Sequence, residues 1–211
     1  MEQLLQSADF LIIINKHRKA IDITPELNSV PIPMIEDCSE EVFDIIDNSM
    51  GGTIIRPHGM GTAHYFNSLQ NPLRNMRFIA YESFINSLGQ DYNKGWSRAD
   101  FIAYDTSACK SYFIIHELTE GTFQNKRADA INQMQNTLRR LYECSKIKNY
   151  IQLFQHKWCI LSATEGAQQA PLNMTAGFNI IYEKLPDPEP ICAKSIESRG
   201  FKAWRTLNVK L

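Results

Sequence analysis

The alternation of apolar and polar positions is most regular between residues 98 and 146. It predicts strand, tight turn, strand and long helix, in that order. Asp100–Tyr104 reads as the first strand, Asp105–Ala108 as the turn, and Lys110–Leu118 as the second strand. Successive side chains on a strand point to opposite sides. Phe113, Ile115 and Glu117 therefore share one face, and Tyr112, Ile114, His116 and Leu118 the other. Both faces are apolar, so this strand is expected to be central and covered on both sides. From Phe123 to Lys146 the period becomes helical, with Ile131, Met134, Leu138, Leu141 and Tyr142 on one stripe. Arg139, Arg140 and Lys146 lie near its end, where positive charge suits the helix dipole. Lys157–Ala163 is a further apolar run, read as a buried strand.

Elsewhere the pattern is less regular. Phe10–Ile14 reads as a short buried strand. Pro25, Pro31 and Pro33 break any helix and predict an extended segment. Asp37 followed by Glu40 resembles a capping box, and Val42, Phe43, Ile45 and Ile46 give an apolar face, so a short helix is expected to about Asn48. Gly51 and Gly52 end it, Thr53–Arg56 is a short strand, and Pro57–Asn75 is loop. Phe78, Tyr81, Phe84, Ile85 and Leu88 predict a second helix over Asn75–Leu88, stopped by Gly89. Beyond Ala163 come the loop TEGAQQAPLN, a strand at Phe178–Tyr182, the proline-rich LPDPEP and a last strand at Phe201–Lys210. The fold class is α/β in the α+β sense: a central mixed β-sheet flanked by helices, in a single domain over residues 1–211.

Composition narrows the class. The chain is 44% hydrophobic and 21% charged with a net charge of -1, so neither a global basic surface nor an acidic tail is present. Cys38, Cys109, Cys144, Cys159 and Cys192 are odd in number and never spaced as C-x-x-C, which suits reduced thiols in a cytoplasmic protein. The apolar core of the N-terminal stretch is too short for an export signal, and its basic run follows rather than precedes it. No segment reaches the roughly 20 apolar residues of a membrane span, so no membrane partner is expected.

Asp100 and Glu117 are the residues that suggest chemistry. Two carboxylates on neighbouring strands converge on one sheet edge and share a divalent cation, and an acid on an otherwise apolar face is costly unless paired or metal-bound. The order helix, hairpin carrying Asp then Glu, long helix and strand resembles the core of the PD-(D/E)XK nuclease superfamily, the restriction-endonuclease-like fold. The resemblance covers about Asn75–Ala163. It leaves 1–74 as an N-terminal elaboration, 75–163 as the nuclease-like core and 164–211 as C-terminal strands. In that family an Asp begins one strand, and an acid, a spacer and a Lys end the next. Asp100 takes the first role and Glu117 the second, but the Lys position holds Thr119. The resemblance implies Mg²⁺ or Mn²⁺ bound by Asp100 and Glu117, with Glu82 as a third ligand. It further implies Lys126 or Thr119 orienting the attacking water, and nucleic acid as the partner.

Other constellations are weaker. His58 and His64 with a carboxylate would suit a transition metal, but a spacing of six in a glycine-rich loop fixes no geometry, and they read first as loop or core-edge histidines. His116 points away from Glu117. There is no G-x-S-x-G elbow, and MGGT and HGMGT lack the Lys of a phosphate loop. Lys16, His17, Arg18 and Lys19 form one basic cluster. Lys194, Arg199, Lys202, Arg205 and Lys210 with Trp204 form another, suited to tracking phosphates. The rival readings are a nuclease-fold module without catalysis and a homo-oligomeric interaction protein. An exposed edge at Phe201–Lys210 would pair with a second copy, so a homodimer stays open.

Overall fold

The computed structural model describes residues 1–16, 30–47, 53–67, 73–88, 97–120, 123–164 and 188–211. Their elements in chain order are α1 (Glu2–Leu5), α2 (Ala8–Lys16), β1 (Ile35–Cys38), β2 (Val42–Ile45), β3 (Ile55–Pro57), β4 (Ala63–Phe66), β5 (Met76–Ala80) and α3 (Tyr81–Ser87). There follow β6 (Phe101–Asp105), β7 (Tyr112–Glu120), α4 (Phe123–Glu143), α5 (Ser145–Gln152), β8 (His156–Thr164), β9 (Glu189–Pro190), α6 (Lys194–Glu197), β10 (Lys202–Arg205) and β11 (Asn208–Lys210). Two sheets result. The large one runs β1-β5-β6-β7-β8-β10-β9, and the small one β11-β4-β2-β3. In the large sheet β1, β5, β6 and β7 are antiparallel, while β7, β8 and β10 are parallel.

The expected alternation along β7 explains the layering. Phe113 and Ile115 join Met134, Leu138 and Leu141 of α4 in one core, with Phe10 and Ile14 of α2. Tyr112, Ile114 and Leu118 join Phe43, Ile45 and Tyr65 of the small sheet in the other. The large sheet is thus the middle of three layers, helices on one face and a second sheet on the other, which is why its strands read as apolar throughout. The hairpin between β6 and β7 is fixed by buried Asp105, whose carboxylate accepts the Ser107 and Ser111 N–H groups at 2.8 and 3.1 Å. The turn closes through Lys110, which takes a left-handed φ of 48°.

Several expected elements differ. The strand at Phe10–Ile14 is the middle of α2: Phe10, Ile13 and Ile14 are buried at helical spacing while Ile12 is 50% exposed. The helix to Asn48 is instead β1 and β2. Asp37 caps nothing there, because both its oxygens accept Arg77 at 2.6 Å, and Phe43 and Ile45 face the core as alternate strand residues. Within the expected loop Pro57–Asn75 lies β4. The first half of the helix expected over Asn75–Leu88 is β5. Phe78 and Ile79 are buried on opposite faces, which erases the alternation that marks a strand. The long helix ends at Glu143, and Cys144, at φ -87° and ψ 107°, starts α5. Phe201–Lys210 splits into β10 and β11 in different sheets; β10 lies between β8 and β9, and of the two strands β11 is the one at a sheet edge among the described residues. The expected strand Phe178–Tyr182, the loop TEGAQQAPLN after Thr164, the Gly51-Gly52 stop and the cluster His17–Lys19 fall outside the described residues.

His116 ties the two sheets together. Ser162 Oγ donates to the Thr206 carbonyl at 2.6 Å, so it accepts from His116 Nε2 at 2.8 Å, and His116 Nδ1 then accepts the Tyr65 hydroxyl at 2.7 Å. The ring is fully buried, and burial pushes its pKa down from 6.5 to about 3. Between those values the unfolded chain takes up a proton that the folded one refuses. Stability is therefore complete above pH 6.5 and falls as pH drops, by at most about 1.4 kcal/mol per unit. His116→Gln is expected to lower stability at pH 7 but to flatten its fall between pH 6.5 and 4, measured by urea denaturation across that range. An equally steep fall in the variant would assign the acid sensitivity to other groups.

Candidate functional site

Asp100 sits where four elements meet. The residues just before it are pinned to α4: the Ala99 N–H donates to Thr137 Oγ1 at 2.9 Å, and Gln133 Nε2 to the Arg98 carbonyl at 3.2 Å. The Asp100 carbonyl accepts the Tyr81 and Glu82 N–H groups at 2.8 and 3.1 Å, so the first turn of α3 rests on it and carries Glu82 in. Across the sheet, Asp100 Oδ2 accepts the Leu118 N–H at 2.6 Å. Phe101 pairs with His116, which brings Asp100 alongside Glu117 one step further along the hairpin. Glu117 is on the α4-facing side of β7, 4% exposed. The Asp100 N–H and the Gln133 amide bond to its carboxylate. Its Oε2 is buried with no hydrogen-bond partner among the described residues.

The electrostatics follow from that crowding. Burial pushes the Glu117 carboxyl far up, and the charges of Asp100 and Glu82 push it further. Asp100 is also raised, by burial first, against the opposing Leu118 N–H; Glu82 and Asp47 add to the rise and Arg98 opposes it. Buried carboxylates sharing one space cannot all ionise without a compensating cation. One cation is built in: Arg98, largely buried, lies 3.4 Å from Glu82 and bonds to Asn86.

Of the residues singled out from sequence, Asp100 and Glu117 are buried side by side and feel the charge of the partly exposed Glu82, but the donor atoms of the three do not all lie within 4.8 Å of one another. Thr119 lies two residues past Glu117 on β7, hence on the same face, and is half-buried opposite Ala163 of β8. Lys126 is exposed in the first turn of α4, and no ion pair joins it to these acids among the described residues. Asp47, Arg98 and Gln133 are additions that the sequence pattern does not single out. Arg98 carries a signal, being two residues before Asp100 on the strand it leads into. Asp47 and Gln133 carry none, because their place depends on how β2 and α4 pack. In the C-terminal basic stretch, Arg205 is taken by Glu189 at 3.2 Å, and Trp204 is half-buried against β8.

All five cysteines are free thiols, and among the described residues no helix is long and apolar enough to cross a membrane. No family model, curated protein or solved structure matches the chain.

Proposed function

We propose that the chain hydrolyses phosphodiester bonds in nucleic acid with a divalent cation held by Asp100 and Glu117, Glu82 assisting. The observation that carries this reading is Glu117 Oε2, a buried carboxylate oxygen beside other acids and without a hydrogen-bond partner among the described residues. A buried polar atom left without a partner costs about 1–3 kcal/mol, and a cation would satisfy it. The donor set is all carboxylate, hard oxygen that suits Mg²⁺ or Mn²⁺. The strand order supports the same reading. Helix α3, the antiparallel β6–β7 hairpin with Asp100 leading β6 and Glu117 near the end of β7, then α4 and β8 follow the order on which the resemblance to PD-(D/E)XK nucleases rests.

Such a cation polarises a phosphoryl oxygen and lowers the pKa of water beside it. The chain's own residues do the rest. The Leu118 N–H fixes Asp100, and Gln133 orients the Glu117 carboxylate. Glu117 gives up its proton as the site charges. Arg98 holds Glu82 in position. Thr119, on the same face as Glu117, or Lys126 from the first turn of α4 would position the attacking water. The water oxygen would form the new bond to phosphorus as it gives up a proton to solvent, and the bond to the leaving sugar oxygen would break as that oxygen takes a proton from solvent.

The test is a cleavage assay on single- and double-stranded DNA and RNA with Mg²⁺ or Mn²⁺, comparing the native protein with Asp100→Asn. Asn keeps the shape at Leu118 while removing the charge. Cation-dependent cutting that the substitution lowers at least about a hundredfold is expected, since a charge contact in the transition state is worth several kcal/mol. Thr119 in the Lys position favours a second reading, a nuclease-fold module that binds nucleic acid or protein without cutting. Salt-sensitive binding with no cleavage would select it.

A further inference from the structure

A second constellation lies in the small sheet, apart from the acidic cluster. Asp44 of β2 pairs with His64 of β4 and with Arg56 of β3 in the strand register, and His58 follows β3. Phe43, Ile45 and Tyr65 turn into the core, so Asp44 and His64 fall on the sheet's other face. Asp44 is nevertheless fully buried, because the turn after β3 folds over it. The Met60 and Gly61 N–H groups both donate to its Oδ2 at 2.9 Å. Gly61 passes so close that a Cβ there would lie 2.4 Å from the Asp44 Cβ. With Oδ2 fixed, Oδ1 faces two imidazoles, His64 Nδ1 at 2.7 Å and His58 Nδ1 at 3.1 Å. The three donor atoms lie within 4.8 Å of one another.

We propose that Asp44, His58 and His64 form a binding site for a borderline divalent transition metal of the Zn²⁺ class. Two imidazole nitrogens and one carboxylate oxygen are the donors such ions prefer, whereas Mg²⁺ prefers oxygen alone. Tetrahedral ligands at about 2.0–2.1 Å from Zn²⁺ stand roughly 3.3 Å apart; the two histidine nitrogens lie 2.7 and 3.1 Å from Asp44 Oδ1, so the carboxylate and imidazoles would open by a few tenths of an ångström around an ion. The carboxylate is oriented by two backbone N–H groups, as metal-binding carboxylates are by their outer partners. His58 and His64 side chains are 51% and 27% exposed, so ion and solvent reach the fourth position. Without an ion the same atoms simply hydrogen-bond, which keeps the site formed and ready. This site stands whether or not the acidic cluster cleaves phosphodiesters.

The experiment is titration of the full chain with Co²⁺, followed by the visible absorption of tetrahedral Co²⁺ and by competition with Zn²⁺. One equivalent is expected to develop the tetrahedral band, with Zn²⁺ abolishing it and Mg²⁺ not. His58→Ala, in the exposed turn, should weaken binding by about a hundredfold or more, beyond the loss typical of an outer-shell partner. His64→Ala should do the same, with circular dichroism confirming that each variant is folded. Glu117→Gln should leave the absorption intact. No tetrahedral band in the native protein overturns the proposal. So does a band that survives both histidine substitutions, or one with the thiolate character of the exposed Cys109 or Cys192.

Discussion

Glu117→Gln is expected to abolish cation-dependent cleavage and at the same time to make the metal-free protein more stable. The loss of rate should be about a thousandfold or more, roughly 4 kcal/mol of transition-state stabilisation. The gain in stability follows from linkage. In the unfolded chain this carboxyl ionises near 4.5; in the fold it is pushed up to about 10, by burial first and then by the charges of Asp100 and Glu82. Between those values the folded protein holds a proton that the unfolded chain has released, so stability is full below the lower value and drains as pH rises. Gln carries no such liability, and its amide can donate to Asp100. At pH 8 in chelator the variant should melt several degrees above the native protein, each kcal/mol being worth about 2–4 °C in a chain of this size, and the gap should widen from pH 5 to 9. Saturating Mn²⁺ should reverse the order. A hundredfold excess over Kd stabilises the native protein by about 2.7 kcal/mol and leaves the variant unmoved. Differential scanning fluorimetry with and without Mn²⁺ reads the stability changes, and the cleavage assay reads the rate. A variant that melts below the native protein at pH 8 would make Glu117 a structural residue held by its neighbours.

Gly61→Ala is expected to cost about 3 kcal/mol or more, the upper range for forcing an atom into a packed site. The added methyl would sit 2.4 Å from the Asp44 Cβ and 2.8 Å from the Ile45 carbonyl, and neither can withdraw without breaking the pairing of β2 with β3 and β4. A fall in Tm of about 6–12 °C should follow. Gly59, two residues earlier, is the control. It has a positive φ of 88°, but a methyl added there would meet nothing within 4 Å, so its substitution carries only backbone strain, about 1 kcal/mol. Urea denaturation of the two variants side by side distinguishes crowding from backbone strain. Equal losses would remove the case for a turn pressed onto Asp44.

Residues 98–146 are legible because their signals are local. On β7 the alternation of Phe113, Ile115 and Glu117 against Ile114, His116 and Leu118 is set by strand geometry alone. The stripe of α4 is set by its period. Those two patterns put Asp100 and Glu117 beside each other without reference to packing. β5 and α2 depart from expectation because a run of about five apolar residues carries both periods, and only its neighbours decide which is used. β1, β2 and β4 are hidden in the sequence because single pairings set them: Asp37 with Arg77, Asp44 with His64.

The division is physical. Sequence by itself determined what depends on contacts a few residues apart: the hairpin with its two acids, the long helix, the buried strand after it and the mixed α+β class. Only tertiary structure decided what depends on distant segments meeting. It laid a second sheet against the first, bringing Asp47 near Asp100 and joining Tyr65 to His116. It also folded one turn over Asp44 so that two histidines six residues apart face one carboxylate oxygen. Period and propensity are encoded along the chain; convergence of side chains is a property of the packed layers, which no stretch of sequence contains alone.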